Sequence, residues 1–305
     1  MNREQATMLE HLTTEARNPA SNKIDTLTAI EIVRLMNAED ATITDAVSKV
    51  ASEIAQSIDL IVRQLQAGGR LIYMGAGTSG RLGVLDASEC PPTFSTNPEM
   101  VVGLIAGGYD ALTRAVEGAE DHPELGEKDL EGIGFSSRDI LVGIATSGRT
   151  PYVIGGLRYA KQMGAPTIGF CCNASSQLQD YCRIMITPIV GAEVISGSTR
   201  MKAGTATKMV LNMLTTGAMV RLGKTFGNLM VDLKATNHKL MDRSARIVSE
   251  ITGLKNSESR DLLGRCDNEV KTAIVANLLS IDAQAAREKL QRTDGHLRNA
   301  LESTS

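Results

Sequence analysis

Apolar residues fall in two rhythms along the chain, and the change of rhythm divides it. From Thr28 they recur every three or four residues, at Ile30, Val33, Leu35 and Met36, then at Ile43, Val47, Val50, Ile54, Ile58, Ile61, Val62 and Leu65. That spacing lines one face of a helix and predicts two amphipathic helices. Gly68-Gly69 ends the second, in keeping with a glycine C-cap. Beyond it stand short continuous apolar runs: Leu71 to Met74, Met100 to Ala106, Ile140 to Ile144, Thr167 to Cys171, and Ile184 to Ile186. Helix-length segments separate them. Short runs of this kind predict βαβ units and a parallel sheet buried on both faces, so the fold class is α/β. A long helix follows Lys208. From Ala245 to Leu301 only short amphipathic helices remain, predicting a small all-helical domain. Residues 1 to about 25 read as a polar lead-in. The expected division is 1–55 as helical lead-in, 56–225 as the α/β domain, and 226–305 as linker and helical domain.

Composition narrows the classes. Of 305 residues, 42% are hydrophobic but only 3% aromatic, with no Trp, which suits packed helices and parallel strands better than a β-sandwich. A net charge of -3, with no block of Lys and Arg, argues against a nucleic-acid partner. No run of about 18 apolar residues occurs, so no membrane span is expected. The first residues lack a signal or transit pattern. The five cysteines are odd in number and lack CxxC spacing, which predicts reduced buried thiols and a cytoplasmic protein. Histidines are scattered, and no metal set is predicted.

Two turns after the apolar runs carry candidate chemistry. Gly75 to Arg81 reads GAGTSGR, and Ala145 to Thr150 reads ATSGRT. A strand that ends in glycines and hydroxyls and then enters a helix converges backbone N–H groups, hydroxyl donors and the positive end of the helix dipole on one point. Gly75, Gly77 and Gly80 also match the dinucleotide spacing G-x-G-x-x-G, but the next strand ends in Gly107-Gly108, without the acidic residue that holds a ribose. Thr78, Ser79, Ser147 and Thr150 suit a phosphomonoester instead, with helix capping by Ser and Thr as the plain alternative. A third segment, Gly191 to Lys208, concentrates Ser196, Ser198, Thr199, Arg200 and Lys202 at a helix start. Acid and base candidates are Glu89, read as lying on a non-helical connection before Cys90-Pro91-Pro92, and Glu117 and Glu120, read as lying near a helix end.

Gly68 to Phe94, Ala115 to Asp121, Gly143 to Lys161 and Gly191 to Met219 closely resemble bacterial N-acetylmuramic acid 6-phosphate etherases, a likeness running from about Asn18 to Leu301. The resemblance implies a flavodoxin-like sugar isomerase (SIS) domain with a small helical C-terminal domain, assembled as a homodimer with the site near the subunit interface. It implies cleavage of the lactyl ether of a phosphorylated amino sugar without cofactor or metal, in cell-wall sugar recycling. By position, Glu89 resembles the proton donor and Glu120 the base at C2. Gly77, Thr78, Ser79, Ser147, Gly148, Thr150, Ser198 and Thr199 would bind phosphate and sugar, with Arg149 or Arg200 able to add charge. The third segment is shared with the glucokinase regulatory protein, so a non-catalytic phosphosugar sensor stays open beside the etherase, as does an aldose-ketose isomerase.

Overall fold

The computed structural model describes residues 13–233 and 238–303; the first twelve residues of the polar lead-in lie outside them. Among the described residues, three α-helices precede the sheet, α1 (Ala29–Asp40), α2 (Ile43–Ser48) and α3 (Ala51–Gln66). The second periodic stretch is thus two helices, because Val50, at φ -111 and ψ 21, steps out of helical geometry. A capping box starts α1, with Glu31 Oε2 accepting from the Thr28 backbone N–H (2.8 Å) and hydroxyl (2.6 Å).

Then β1 (Leu71–Gly75) enters α4 (Gly77–Phe94), followed by β2 (Val101–Ile105), α5 (Pro123–Gly132), β3 (Ile140–Ile144), α6 (Pro151–Gln162), β4 (Thr167–Phe170) and β5 (Ile184–Ile186). The order across the sheet is β2-β1-β3-β4-β5, with every neighbouring pair parallel. Leu71 pairs with Val101 on one side and Ile140 on the other, so β1 is central, and all five of its residues are buried. This accounts for the continuous apolar runs: a strand covered on both faces has no polar side to alternate with. Each fully buried Ile or Leu in it contributes about 1.5–3 kcal/mol. Tyr152, Val153 and Leu157 of α6 pack with Ile72, Met74 and Leu141 of the sheet. The starts of β1 and β3 are pinned by Arg70, whose Nε and Nη2 lie 3.1 and 2.9 Å from the two oxygens of Asp139. Burial works against the charged form of Asp139, but Arg70 and the backbone N–H groups of Ser136 and Arg70 hold its carboxyl below the usual range.

Among the described residues, β5 is followed by α7 (Lys202–Arg221), a short antiparallel pair β6 (Thr225–Phe226) and β7 (Leu229–Met230), and five helices: α8 (His238–Thr252), α9 (Asn256–Arg265), α10 (Val270–Leu279), α11 (Ala283–Arg292) and α12 (Leu297–Glu302). Contacts divide the chain into two compact units. The first runs to Ser88 and resumes over Glu99–Thr215; the second joins Glu89–Pro98 to the chain from Thr216 onward. The second unit has its own core, built on Val248, Leu262, Leu263, Ile274 and Leu297. At its edge Asp232 meets Lys224 (2.7 Å) and Lys271 (3.0 Å). The five cysteines are free, and four are buried. Burial pushes the Cys182 thiol up to about 12, which keeps it protonated and inert. Among the described residues no helix is long and apolar enough to cross a membrane.

Candidate active site

The chain leaves β1 for β2 on one side and later returns to β3 on the other, which makes the carboxyl ends of β1 and β3 the switch point of the sheet. Ligands of open α/β sheets bind there. The turn after β1 is tight enough to need its glycines. A Cβ on Gly75 would meet the backbone of Ser79 and Gly80, and one on Gly80 would meet Ile105 and the Gly75 carbonyl, while Gly77 sits at φ +52. Close strand-to-helix packing thus explains the G-x-G-x-x-G spacing without a nucleotide. In the turn after β3, Gly148 adopts φ +74, and a Cβ on it would fall 2.6 Å from Ser176 Oγ.

The hydroxyls these turns present are largely unspent. Thr150 precedes α6 as its N-cap, yet its side chain makes no capping bond. Ser147 Oγ accepts from the Arg149 N–H at 3.3 Å, which leaves its own hydrogen free to donate. Among the described residues, Thr78, Ser79, Ser198 and Thr199 make no hydrogen bond through their hydroxyls. By contrast Thr207 and Thr215 of α7 each return their hydroxyl to a carbonyl four residues back. Capping therefore does not explain the turn residues. Thr78 and Thr199 also come together: a Cβ on Gly204 would lie 3.5 Å from both the Thr78 methyl and the Thr199 carbonyl. The turn after β1 and the segment leading into α7 are thus adjacent walls.

That third wall is braced by residues that local sequence patterns do not single out. Glu193, fully buried, accepts from the backbone N–H groups of Lys202 (2.9 Å) and Ala203 (3.0 Å) at the start of α7. Burial raises its pKa, opposed by those two bonds. Lys202 is not a ligand donor: its ammonium is buried and lies 2.8 Å from Glu39 Oε2 of α1. Asn18 Nδ2 donates to the same oxygen at 2.7 Å. Upstream, Asn173 Nδ2 donates to the Thr146 carbonyl (2.9 Å) and the Thr14 hydroxyl (3.2 Å), and Ser196 Oγ donates to the Glu15 carbonyl (2.9 Å). The described part of the lead-in therefore stitches the β3 turn to the third wall. Of the remaining cations, Arg200 is exposed and Arg149 keeps a buried Nε without a partner.

A cleft of about 290 Å³ opens at the ends of β1 and β2, lined by Gly77, Arg81, Val116, Glu117 and Glu120 among others. Glu120 is exposed within it and sits in a 3-10 turn, Ala119–Asp121. The expected helix before it does not form: Gly107, Gly108 and Gly118 all take positive φ and break the segment into short turns. Glu89 also departs from expectation, since it lies inside α4, exposed, one turn before the helix ends. Pro91 and Pro92 stand in that last turn, where their missing N–H groups free only the carbonyls of Ala87 and Ser88, and Ser95 at φ +50 ends the helix. Glu89 belongs to the second compact unit and Glu120 to the first. Three residues before Glu89, buried Asp86 accepts from Thr215 Oγ1 at 3.2 Å, joining α4 to α7; burial raises its pKa, against the pull of hydrogen bonds from Tyr73 and Thr215.

A parallel sheet with hydroxyl-bearing turns at its switch point is a phosphate-binding α/β arrangement, and the matching domain models give its class as sugar isomerase (SIS). Two domain models match: the glucokinase regulatory protein N-terminal SIS domain over residues 53–161 and the SIS domain over residues 134–217. Over nearly its full length the chain is 62% identical to the N-acetylmuramic acid 6-phosphate etherase of Rhodopirellula baltica, covering 97% of this chain and 98% of that one. It is 55% identical to the proteins of that name from Aliivibrio fischeri and Vibrio vulnificus, covering 96% of this chain and 98% of each of them. The chain belongs to the N-acetylmuramic acid 6-phosphate etherase family.

Proposed function

We propose that the chain cleaves the D-lactyl ether of N-acetylmuramic acid 6-phosphate, giving N-acetylglucosamine 6-phosphate and D-lactate in the recycling of cell-wall sugars. The observation that carries this reading is a set of unspent hydroxyls at the switch point beside a cleft that holds Glu120. In the ring-opened sugar the C2 hydrogen is adjacent to an aldehyde. Glu120 removes that proton as the base, and the C–O bond at C3 breaks as Glu89, the acid, gives a proton to the departing lactate oxygen. Water then adds at C3 of the unsaturated aldehyde and a proton returns to C2, so atoms and charge balance. The 6-phosphate is held by Thr78, Ser79, Ser147 and Thr150 with the N–H group of Gly77. Gly148, whose own N–H closes the turn onto the Ala145 carbonyl at 2.8 Å, lets that turn approach the phosphate, and Ser198 and Thr199 close the third side. The phosphosugar-binding work falls to residues 56–225, with 226–305 as the helical domain. The protein works in the cytoplasm as a homodimer; exposed Ile30 and Val33 on α1, 55% and 61% accessible, offer apolar surface for a second copy.

Glu89→Gln and Glu120→Gln should keep the fold and each lose about 10²–10⁴-fold in D-lactate release, the range for a positioned acid or base. Solvent deuterium separates the roles: Glu120→Gln stops exchange at C2, whereas Glu89→Gln retains exchange without releasing lactate. Full lactate production by both variants would sink the mechanism.

A further inference from the structure

We propose that Arg81 binds the carboxylate of the lactyl group, so that the substrate is gripped by its two anionic ends in two places. The inference rests on the etherase reading above. Such a substrate carries a phosphate at C6 and a carboxylate on the ether side chain. The hydroxyl-bearing turns meet only the first. A carboxylate is best met by a planar guanidinium fork.

Arg81 has the required position and state. It opens the second turn of α4, two residues past Ser79, and is the one basic residue among those lining the cleft that holds Glu117 and Glu120. Its Nε donates to the Leu112 carbonyl at 3.2 Å and its Nη2 to the Arg114 carbonyl at 3.1 Å. Two carbonyls aim the fork but carry no net charge, so the guanidinium is oriented without being neutralised. Two of its five N–H donors are committed and three remain, including both on Nη1. Among the described residues it makes no ion pair, although two carboxylates line the same cleft. The other candidates are placed elsewhere. Lys202 is spent on Glu39, Arg149 belongs to the turn after β3, and Arg200, exposed before α7, is not among the residues that line the cleft.

The pairing also serves the chemistry. Glu120 acts as the base at C2, and a second carboxylate brought into its cleft meets it with like charge. A guanidinium between them offsets that repulsion, so the lactyl group that has to leave is the group whose arrival Arg81 makes tolerable.

The test compares N-acetylmuramic acid 6-phosphate with the 3-O-ethyl ether of N-acetylglucosamine 6-phosphate, the same sugar phosphate without the carboxylate. Purified full-length wild type, Arg81→Gln and Arg81→Lys are assayed for D-lactate release and for inhibition by the ethyl ether, with melting curves to confirm folding. Arg81→Gln should lose about 10–100-fold in kcat/KM on the acid, mainly through KM, the range for a hydrogen-bonded charge. Its inhibition constant for the ethyl ether should stay within about threefold. Arg81→Lys, which keeps charge without the fork, should fall between, and it carries the comparison alone if the Gln variant does not fold. Equal losses on both compounds, or no loss on the acid, overturn the proposal. Wild type that releases no D-lactate overturns the etherase reading instead.

Discussion

Glu39→Gln isolates the brace behind the third wall of the site. Lys202 Nζ and Glu39 Oε2 are 2.8 Å apart, with side chains 4% and 21% exposed, and the substitution keeps size and an acceptor while leaving the ammonium buried without its counter-charge. Removing one partner of a buried ion pair costs about 3–5 kcal/mol. Glu39 is the wetter partner, so solvent reaches the pair from its side and about 2–3 kcal/mol is expected. At roughly 2–4 °C per kcal/mol for a chain region of this size, the melting temperature should fall by about 5–10 °C. Lys202→Met removes the charge that needs a partner, so Glu39→Gln combined with Lys202→Met should recover most of the loss, with a coupling of about 2 kcal/mol. The pH dependence has a definite sign. The hydrogen bond from Lys202 lowers the Glu39 pKa, against a smaller opposing push from burial. The stabilisation is therefore complete above the unfolded carboxyl pKa of about 4.3 and is lost as pH falls through the lower folded value. The difference between wild type and Glu39→Gln should shrink as that acid range is crossed. The assay is thermal and urea unfolding of the three variants from pH 7 down to pH 3, with KM for the phosphosugar as the functional readout, because Ser198 and Thr199 ride on the braced segment. A loss below about 1 kcal/mol, or strict additivity with Lys202→Met, would refute the reasoning.

Two further outcomes follow from the same geometry. Ser147→Ala should raise KM by about 10–100-fold with little change in kcat, because it removes one charge-assisted donor to the phosphate and nothing that moves in the reaction; an unchanged KM would take Ser147 out of the site. Gly155→Ala on α6 should destabilise by more than about 3 kcal/mol, because its Cβ would fall on the Pro123 carbonyl at the start of α5, a backbone obstacle that cannot turn aside; a melting temperature near that of wild type would show that the two helices separate freely.

Much of the fold is legible from local pattern. Strands such as Leu71 to Met74 announce themselves because each is short, wholly apolar and followed by glycine, and burial on both faces leaves no other residue class that fits. The turns at Gly77 to Ser79 and Ser147 to Thr150 are legible for a related reason, since hydroxyls and glycines that a plain helix start does not need stand at strand ends. At Glu89 the sequence misleads: Pro91 and Pro92 argue against a helix, yet prolines near a helix end remove only donors that a last turn can lose. The helix expected before Glu120 is divided by three glycines at positive φ, a backbone choice that the residue types alone do not announce.

By itself the sequence determined the alternation of strands and helices, the parallel sheet, the hydroxyl-bearing turns and the family. Those depend on neighbours within a few residues, or on long unbroken matches to relatives. The tertiary structure decided which charges remain available to a ligand. Lys202 and Arg81 look alike as basic residues beside hydroxyl-rich segments, but Lys202 is consumed by a carboxylate 163 positions away, whereas Arg81 is aimed by two carbonyls and left positive. Charge pairing acts through space, and no periodicity along the chain carries it.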